Sequence, residues 1–293
     1  MKIRKSIVAG MFYPSEKEEL KKQIENCFLS EIGPGNLPIK NSKKYIAAIV
    51  PHAGYSYSGF AATHVYKEIA EINKPDIFII IGNNHTGLGN SVSISGYDAW
   101  QTPLGNINVD KDFSNEIIKN SKFACFDEMA HTREHSIEVQ LPFLQFFFDE
   151  FSIVPIVLKE DKDILEKAKD LADSINKSAK DLNKKIFVIA SSDFTHYGDS
   201  YNFTPFYGTN QEIKKKIYKI DKKAIDKILN LEIKEFLEYV KENDLTICGC
   251  APIILVMFFS KIFKEQGKLL KYYISGEISG EYDNCVGYAG IIF

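Results

Sequence analysis

Arginine and long apolar runs are the two features that this 293-residue chain most clearly lacks. Arg4 and Arg133 are the only arginines among 36 Lys+Arg residues, and the formal net charge is −3. Nucleic-acid-binding proteins usually present a net basic face and use arginine forks to contact phosphates and guanine. The sequence offers neither, so we expect no nucleic-acid partner.

The longest apolar run, residues 251–259, is far shorter than the roughly 20 residues that cross a bilayer. The basic N-terminus reaches Pro14 without an apolar segment of signal-peptide length. The five cysteines stand at irregular spacings, which disfavours a disulfide framework. We therefore expect a cytoplasmic protein that does not insert into a membrane.

Motifs for nucleotide cofactors and for serine hydrolases are missing as well. Gly87-Leu88-Gly89 begins like a G-x-G-x-x-G fingerprint, but Val92 stands where the third glycine is needed. No glycine-rich loop ends in G-K-[ST], and the chain contains no G-x-S-x-G elbow. These absences argue against both classes of enzyme.

Short apolar, β-branched segments alternate with helical patterns along the chain. Strands are predicted at residues 45–50, 76–81, 151–158 and 186–190, and helices at 15–29, 59–71, 164–180, 211–230 and 251–266. Ser15 and Glu18 have the spacing of a capping box for the first helix. Residues 269–277 and 285–293 are predicted as antiparallel strands around a Gly/Asp turn. The pattern predicts one α/β domain over residues 1–293, with a mixed, largely parallel sheet between helices.

Three of the predicted strands end in the same way, with a small or turn-forming residue followed by a histidine. The histidines are His52, His85 and His196, and Asp193 precedes the last of them. Ligands of open α/β sheets bind outside the carboxyl ends of the strands, so these side chains should converge on one crevice. Imidazole is the commonest metal ligand and the natural acid or base near neutral pH. His64, in contrast, lies within a helical pattern and is expected to be packed or at the surface.

Cys248 and Cys250 lie just before an apolar helix whose first turn would contain Pro252. The helix macrodipole and free amides at such a position favour the thiolate, which ligates metals or attacks carbon. The spacing Cys248-Gly249-Cys250 has one intervening residue and no second pair, so it does not match a zinc ribbon. Two small, buried cysteines under the helix are the alternative.

A second candidate site is the string His131-Thr132-Arg133-Glu134-His135, which matches the H-x-x-E-H motif of inverted zinc peptidases. That mechanism needs one helix through both histidines, and residues 127–135 show no apolar stripe. The peptidase hypothesis is therefore the weaker one. His135 and Glu138 are expected to flank the crevice instead, because the segment 134–138 is polar where it approaches an apolar helix.

At these residues the chain resembles the Memo family, also known as protein B of the AmmeMemoRadiSam system. The matching blocks run nearly the whole chain in order: Arg4-Lys5, Ala9-Gly10-Met11-Phe12-Tyr13-Pro14, Pro51-His52-Ala53-Gly54-Tyr55, Gly82-Asn83-Asn84-His85, Glu134-His135-Ser136-Ile137-Glu138, Ser191-Ser192-Asp193-Phe194-Thr195-His196 and Thr246-Ile247-Cys248-Gly249. The family is similar in fold to class III extradiol dioxygenases, which have an α/β/α arrangement around a mixed sheet.

The resemblance implies a non-haem iron site with His52, His85 and Cys248 as ligands. In the dioxygenases the third ligand is a glutamate, which leaves open positions for substrate and oxygen. Cysteine at this position makes copper or zinc alternative metals and casts doubt on ring cleavage. His196 matches the catalytic histidine, and Asp193 would orient it or touch the metal.

We therefore expect a metal-dependent redox protein that acts on an unidentified small molecule, with His196, Asp193 and His135 as its catalytic residues. Two alternatives remain open. The first is a binding or adaptor protein on a dioxygenase-like scaffold, since relatives in animals are linked to phosphotyrosine peptides. The second is a metal-dependent hydrolase.

Overall fold

In the computed structural model, which describes residues 1–39 and 44–293, a mixed sheet lies between two layers of helices. Its strands are β1 (Ile3–Arg4), β2 (Ala47–Val50), β3 (Ile77–Asn83), β4 (Val92–Ile94), β5 (Ala99–Thr102), β6 (Gly105–Val109), β7 (Cys125–Phe126), β8 (Ser152–Leu158), β9 (Ile186–Ser191), β10 (His196–Gly198), β11 (Lys268–Ile274) and β12 (Asn284–Ile292). The helices are α1 (Lys17–Leu29), α2 (Tyr55–Ala70), α3 (Lys111–Asn120), α4 (Met129–Thr132), α5 (Leu141–Phe147), α6 (Ile164–Asp181), α7 (Asn210–Leu229), α8 (Ile233–Glu242), α9 (Cys250–Phe263) and α10 (Gly276–Ser279).

The strand order is β1-β5-β6-β8-β3-β9-β2-β12-β10, with β11 beside β12, and β4 beside β7 and β8. The four central strands β8, β3, β9 and β2 are parallel neighbours. They are continuous apolar runs because helices cover both faces of the sheet. Along β3, Ile79 packs in the core on the α6 and α9 side, and Ile80 in the core on the α2 and α5 side. The predicted α/β class and mixed sheet are confirmed.

Most predicted elements are present, with their ends shifted by a few residues. The four predicted strands are β2, β3, β8 and β9, and the five predicted helices are α1, α2, α6, α7 and α9. The C-terminal pair β11 and β12 is antiparallel as predicted, but the short helix α10 lies in the connection.

The capping box predicted at Ser15 and Glu18 is wrong. Glu16 is the N-cap of α1, and its side chain makes no capping hydrogen bond. A capping box does occur in the chain, at Thr209 and Glu212 at the start of α7. No helix in the described residues is long and apolar enough to cross a membrane.

Candidate metal centre

The carboxyl ends of β2, β9 and β3, which are neighbours in the sheet, carry the predicted histidines and aspartate. His52 follows β2, His85 follows β3, and Asp193 and His196 follow β9. The rings of His52 and His85 lie edge to face, with centroids 5.1 Å apart. The convergence predicted from the strand ends is thus present in the fold.

Cys248 lies in the loop just before α9 and approaches these two histidines. Its Sγ lies 3.2 Å from Nε2 of His52. One ligand atom each from His52, His85 and Cys248 fit within 4.8 Å of one another. Gly249 makes this approach feasible, because a Cβ there would lie 2.3 Å from Cβ of Ser192 at the end of β9.

His52 is buried, and its other ring nitrogen is held by Ser191. Nδ1 of His52 lies 3.1 Å from Oγ of Ser191, which donates to the carbonyl of Ser136 at 2.6 Å. Gln140 Nε2 donates to the same hydroxyl at 2.8 Å. Since the Ser191 proton is already used, Nδ1 must be the protonated nitrogen, and the Nε2 lone pair faces Cys248. Burial lowers the pKa of His52 well below its ordinary value, so the ring is neutral.

His85 is oriented by Glu134, a buried carboxylate. Nδ1 of His85 lies 2.9 Å from Oε1, and its backbone N–H donates to Oε2 at 2.7 Å. Burial acts to raise the pKa of Glu134, but the His85 hydrogen bond and charge outweigh it, with help from the Ser136 amide, and lower the pKa to about 2. Nε2 of His85 has no partner among the described residues. A carboxylate such as Glu134 is the usual hydrogen-bond partner of the other nitrogen of a metal-bound histidine.

The thiol of Cys248 does not behave as the helix position suggested. Burial, and after it the carboxylate of Asp193, raise its pKa well above the ordinary value. The expectation that the N-terminus of α9 favours the thiolate is therefore wrong when only protein groups surround the sulfur. A cation beside the sulfur is what stabilises a thiolate in such a buried position.

One ring nitrogen of His196 binds backbone carbonyls, and the ring also lines the cavity. Its Nδ1 lies 2.9 Å from the carbonyls of both Phe194 and Thr246, so Nδ1–H is the donor and Nε2 is free. The prediction that Asp193 orients His196 is therefore wrong, and the alternative, that Asp193 touches the metal, stays a prediction. Oδ1 of Asp193 accepts the backbone N–H of His52 at 2.8 Å instead.

The H-x-x-E-H string does not form the helical site of a zinc peptidase. Helix α4 ends at Thr132, between the two histidines. His131 is buried, and its Nε2 lies 3.1 Å from the carbonyl of Ser93. His135 stacks on His85 with centroids 4.8 Å apart, and burial lowers the pKa of His135 to about 4. Only the second half of the motif, Glu134 and His135, lies at the candidate centre.

Glu138 does not flank the crevice, contrary to expectation. It is fully buried and forms an ion pair with Arg4, which is 3% exposed. Glu138 also accepts hydrogen bonds from the Tyr13 hydroxyl at 2.5 Å and from the amides of Ile7 and Val8 at 3.0 and 3.1 Å. We call these five residues the N-terminal clamp. Arg4 additionally donates to the carbonyl of Glu134, so the clamp holds the loop that orients His85.

A cavity of about 490 Å³ opens in front of the cluster. Its inner wall contains the sequence-predicted residues His52, His85, His135, Asp193 and His196. The lining also includes Phe12, from the matching block 9–14, and residues that the sequence did not single out, among them Tyr57, Tyr201, Glu281 and Tyr288. These four residues come from segments far apart in sequence, and no local motif marks them.

The fold and the cluster together define an α/β/α protein with two histidines and a cysteine at the carboxyl edge of a mixed sheet. Residues 4–292 match the family model for Memo-like protein. A MEMO1 family protein of Desulfurococcus amylolyticus is 44% identical over 301 residues, covering 100% of this chain and 99% of the relative. One from Methanobrevibacter smithii is 43% identical over 296 residues and covers 99% of each. The chain belongs to the Memo family.

A similarity in fold alone extends further. The crystal structure of an uncharacterized protein from Escherichia coli K12 superposes with a TM-score of 0.53 at 10% sequence identity. The match covers 85% of this chain and 100% of the other one. It supports the α/β architecture and carries no information on activity.

Proposed function

We propose that this protein binds one metal ion through Nε2 of His52, Nε2 of His85 and Sγ of Cys248, and uses it for redox chemistry on a small molecule. The observation that carries the proposal is that each imidazole has one nitrogen held by a neighbouring side chain. Ser191 holds one nitrogen of His52 and Glu134 holds one of His85, so that the other nitrogen of each faces the shared space. Orienting partners of this kind are typical of metal-bound histidines.

Iron is the proposed metal, and copper and zinc are the alternatives. Two imidazoles and a thiolate suit all three ions, because the thiolate is a softer ligand than the carboxylate of the usual facial triad. When bound, an ion with only three protein ligands supplies open positions at which oxygen and substrate can react. The donor set therefore fits the metal that the fold family implies.

Three further residues around the metal centre have separate roles in this proposal. His196 presents an unpaired Nε2 to the cavity, where it is placed to accept a proton from a bound substrate. Asp193 holds the backbone of His52 and thereby the position of that ring. His135 packs flat against His85 and restricts its movement on the cavity side.

A cytoplasmic location is part of the proposal. All five cysteines are free thiols, and three of them are buried. A reducing compartment is where such a set of unpaired cysteines persists.

Elemental analysis of anaerobically purified protein tests the proposal. We expect close to one metal ion per chain in the wild type, little in His52→Ala and His85→Ala, and an unchanged content in His131→Ala, the matched control. Metal lost from His131→Ala but kept in His52→Ala would move the site to the H-x-x-E-H string. Oxygen uptake in a screen of small reductants then tests the redox part. A metal-loaded protein that consumes no oxygen with any of them would contradict it.

A further inference from the structure

Two tyrosines stand side by side on β11 and β12, next to the cavity. Tyr273 and Tyr288 are directly paired in the antiparallel register, and their ring centroids are 5.6 Å apart. They are similarly buried, with 3% and 2% of each residue exposed. Tyr288 lines the cavity in front of the candidate metal centre.

The two hydroxyls differ in what they bind. The hydroxyl of Tyr273 donates to the carbonyl of Tyr57 and accepts the amide of Ala61 at 3.3 Å. Within residues 1–39 and 44–293 the hydroxyl of Tyr288 makes no hydrogen bond, and it is not among the fully buried atoms that lack a partner, so it is open to the cavity. A hydroxyl that is open to a cavity binds water or a ligand there. A ligand in the cavity can therefore reach the hydroxyl of Tyr288.

The charges around the cavity restrict what that partner is. Among the described residues, the lining includes no lysine or arginine, and it contains the carboxylates Asp193 and Glu281. A phosphate or other polyanion would find no lysine or arginine there, and the thiolate of Cys248 and these carboxylates would offset the charge of a divalent ion at the proposed centre. Burial, and after it the charge of Asp193, raise the pKa of Tyr288, so its hydroxyl stays protonated and available as a donor. Phe12, Tyr57 and Tyr201 supply flat apolar surface beside it.

We propose that Tyr288 is a substrate-binding residue that donates a hydrogen bond to an uncharged oxygen of a small, planar ligand. The proposal rests on the proposed function only in placing this ligand above the metal centre. It names the ligand class: a neutral molecule with a carbonyl or hydroxyl oxygen and a flat body, without a phosphate group.

Three benzene derivatives of the same shape test this with the metal-loaded protein: benzamide is neutral, benzoate is an anion and benzamidine is a cation. Binding is measured by calorimetry, together with metal content and thermal stability. We expect benzamide to bind more tightly than benzoate. Tyr288→Phe should weaken benzamide binding about threefold to tenfold, the range for one neutral hydrogen bond, and leave benzamidine binding unchanged. Metal content and stability should not change, because the lost hydroxyl contacts no protein group.

Tyr273→Phe is the matched control, since it removes a hydroxyl that does bind the protein. It should lower the melting temperature. Equal benzamide affinity in wild type and Tyr288→Phe would overturn the role of Tyr288. A preference for benzoate, or no benzamide binding to the wild type, would overturn the ligand class. Loss of the metal from the wild type itself would contradict the proposed function instead, so the two failures are distinguishable.

Discussion

The candidate metal centre and the N-terminal clamp meet at the segment 134–138, where Glu134 orients His85 and Glu138 binds Arg4. In the clamp, the Glu138 carboxylate receives an ion pair and hydrogen bonds from Arg4, Tyr13 and the amides of Ile7 and Val8. In the centre, one nitrogen of each histidine is held; the other nitrogen of His52 meets only the thiol of Cys248, a weak donor, and that of His85 has no partner in the described residues. The clamp satisfies its own groups, whereas the centre leaves its ligating atoms without strong partners.

This difference separates a structural role from a functional one. Buried polar groups with every partner in place hold a fold in one arrangement. Atoms that are oriented but unpaired cost free energy, so they are expected where a ligand will bind. Variants of the centre should therefore change binding and turnover with little effect on stability, and variants of the clamp should do the reverse.

The largest effect is expected for His196→Ala. Loss of one proton acceptor should reduce oxygen-dependent turnover by roughly 10²–10⁴-fold, while the metal content stays at the wild-type level. The control is His64→Ala, whose ring binds the carbonyl of Ile32 outside the cavity. Metal loss in His196→Ala as complete as in His52→Ala would make His196 a ligand and contradict this assignment.

Glu138→Gln should destabilise the protein by about 3–5 kcal/mol, because it leaves the Arg4 guanidinium buried without its counter-charge. Urea unfolding measures the change, with the exposed Glu16→Gln as control. The double variant Arg4→Met with Glu138→Met should recover much of the loss, since no uncompensated charge remains. A loss below 1 kcal/mol in the single variant would show that the clamp is not a stabilising unit.

Asp221 adds a third kind of buried group to this comparison. It is a fully buried carboxylate, and none of the described lysines or arginines forms an ion pair with it. It accepts hydrogen bonds from the hydroxyls of Thr195 and Tyr272, both at 2.5 Å, and burial raises its pKa to about 6. The folded protein therefore holds this proton more tightly than the unfolded chain, whose aspartate has a pKa near 3.9. Stability from this group falls as the pH rises from about 4 to 6 and is constant above.

The measurement is urea unfolding of wild type and Asp221→Asn at pH 4.5 and pH 7. The wild type should lose about 2 kcal/mol more than the variant between the two pH values, as the raised pKa implies. Equal pH dependence in the two proteins would mean that Asp221 titrates normally.

Glu134→Gln should have the smallest effect of the four, a fall in metal affinity of about 10- to 100-fold. The amide still accepts a hydrogen bond from His85 but no longer supplies the negative charge that strengthens this ligand. Competition with a chelator measures the affinity, and Glu128→Gln, which loses only a partly exposed ion pair with Lys2, is the control. Unchanged affinity would show that Glu134 does not act through the metal site.

The sequence predicted the parts of this arrangement that depend on local patterns. Apolar strands followed by histidines located His52, His85 and His196, because parallel strands end at one edge of the sheet. Pairing over long sequence distances was not predictable. Nothing local to Glu138 marks Arg4 as its partner, and nothing local to Tyr288 places it at the cavity. The elements missed, such as β5, α3 and α8, are short: α3 and α8 are amphipathic but have 10 residues each, and β5 has 4, fewer than the window over which a period is recognised.

X-ray absorption at the metal edge of the anaerobically purified protein tests the central claim most directly. The account predicts one sulfur neighbour at about 2.3 Å, with imidazole nitrogens at about 2.0–2.1 Å. Cys248→Ser should lose the sulfur signal, and Cys250→Ser, two residues away on α9, should keep it. A wild-type spectrum without sulfur, or a sulfur signal that survives in Cys248→Ser, would contradict the ligand set.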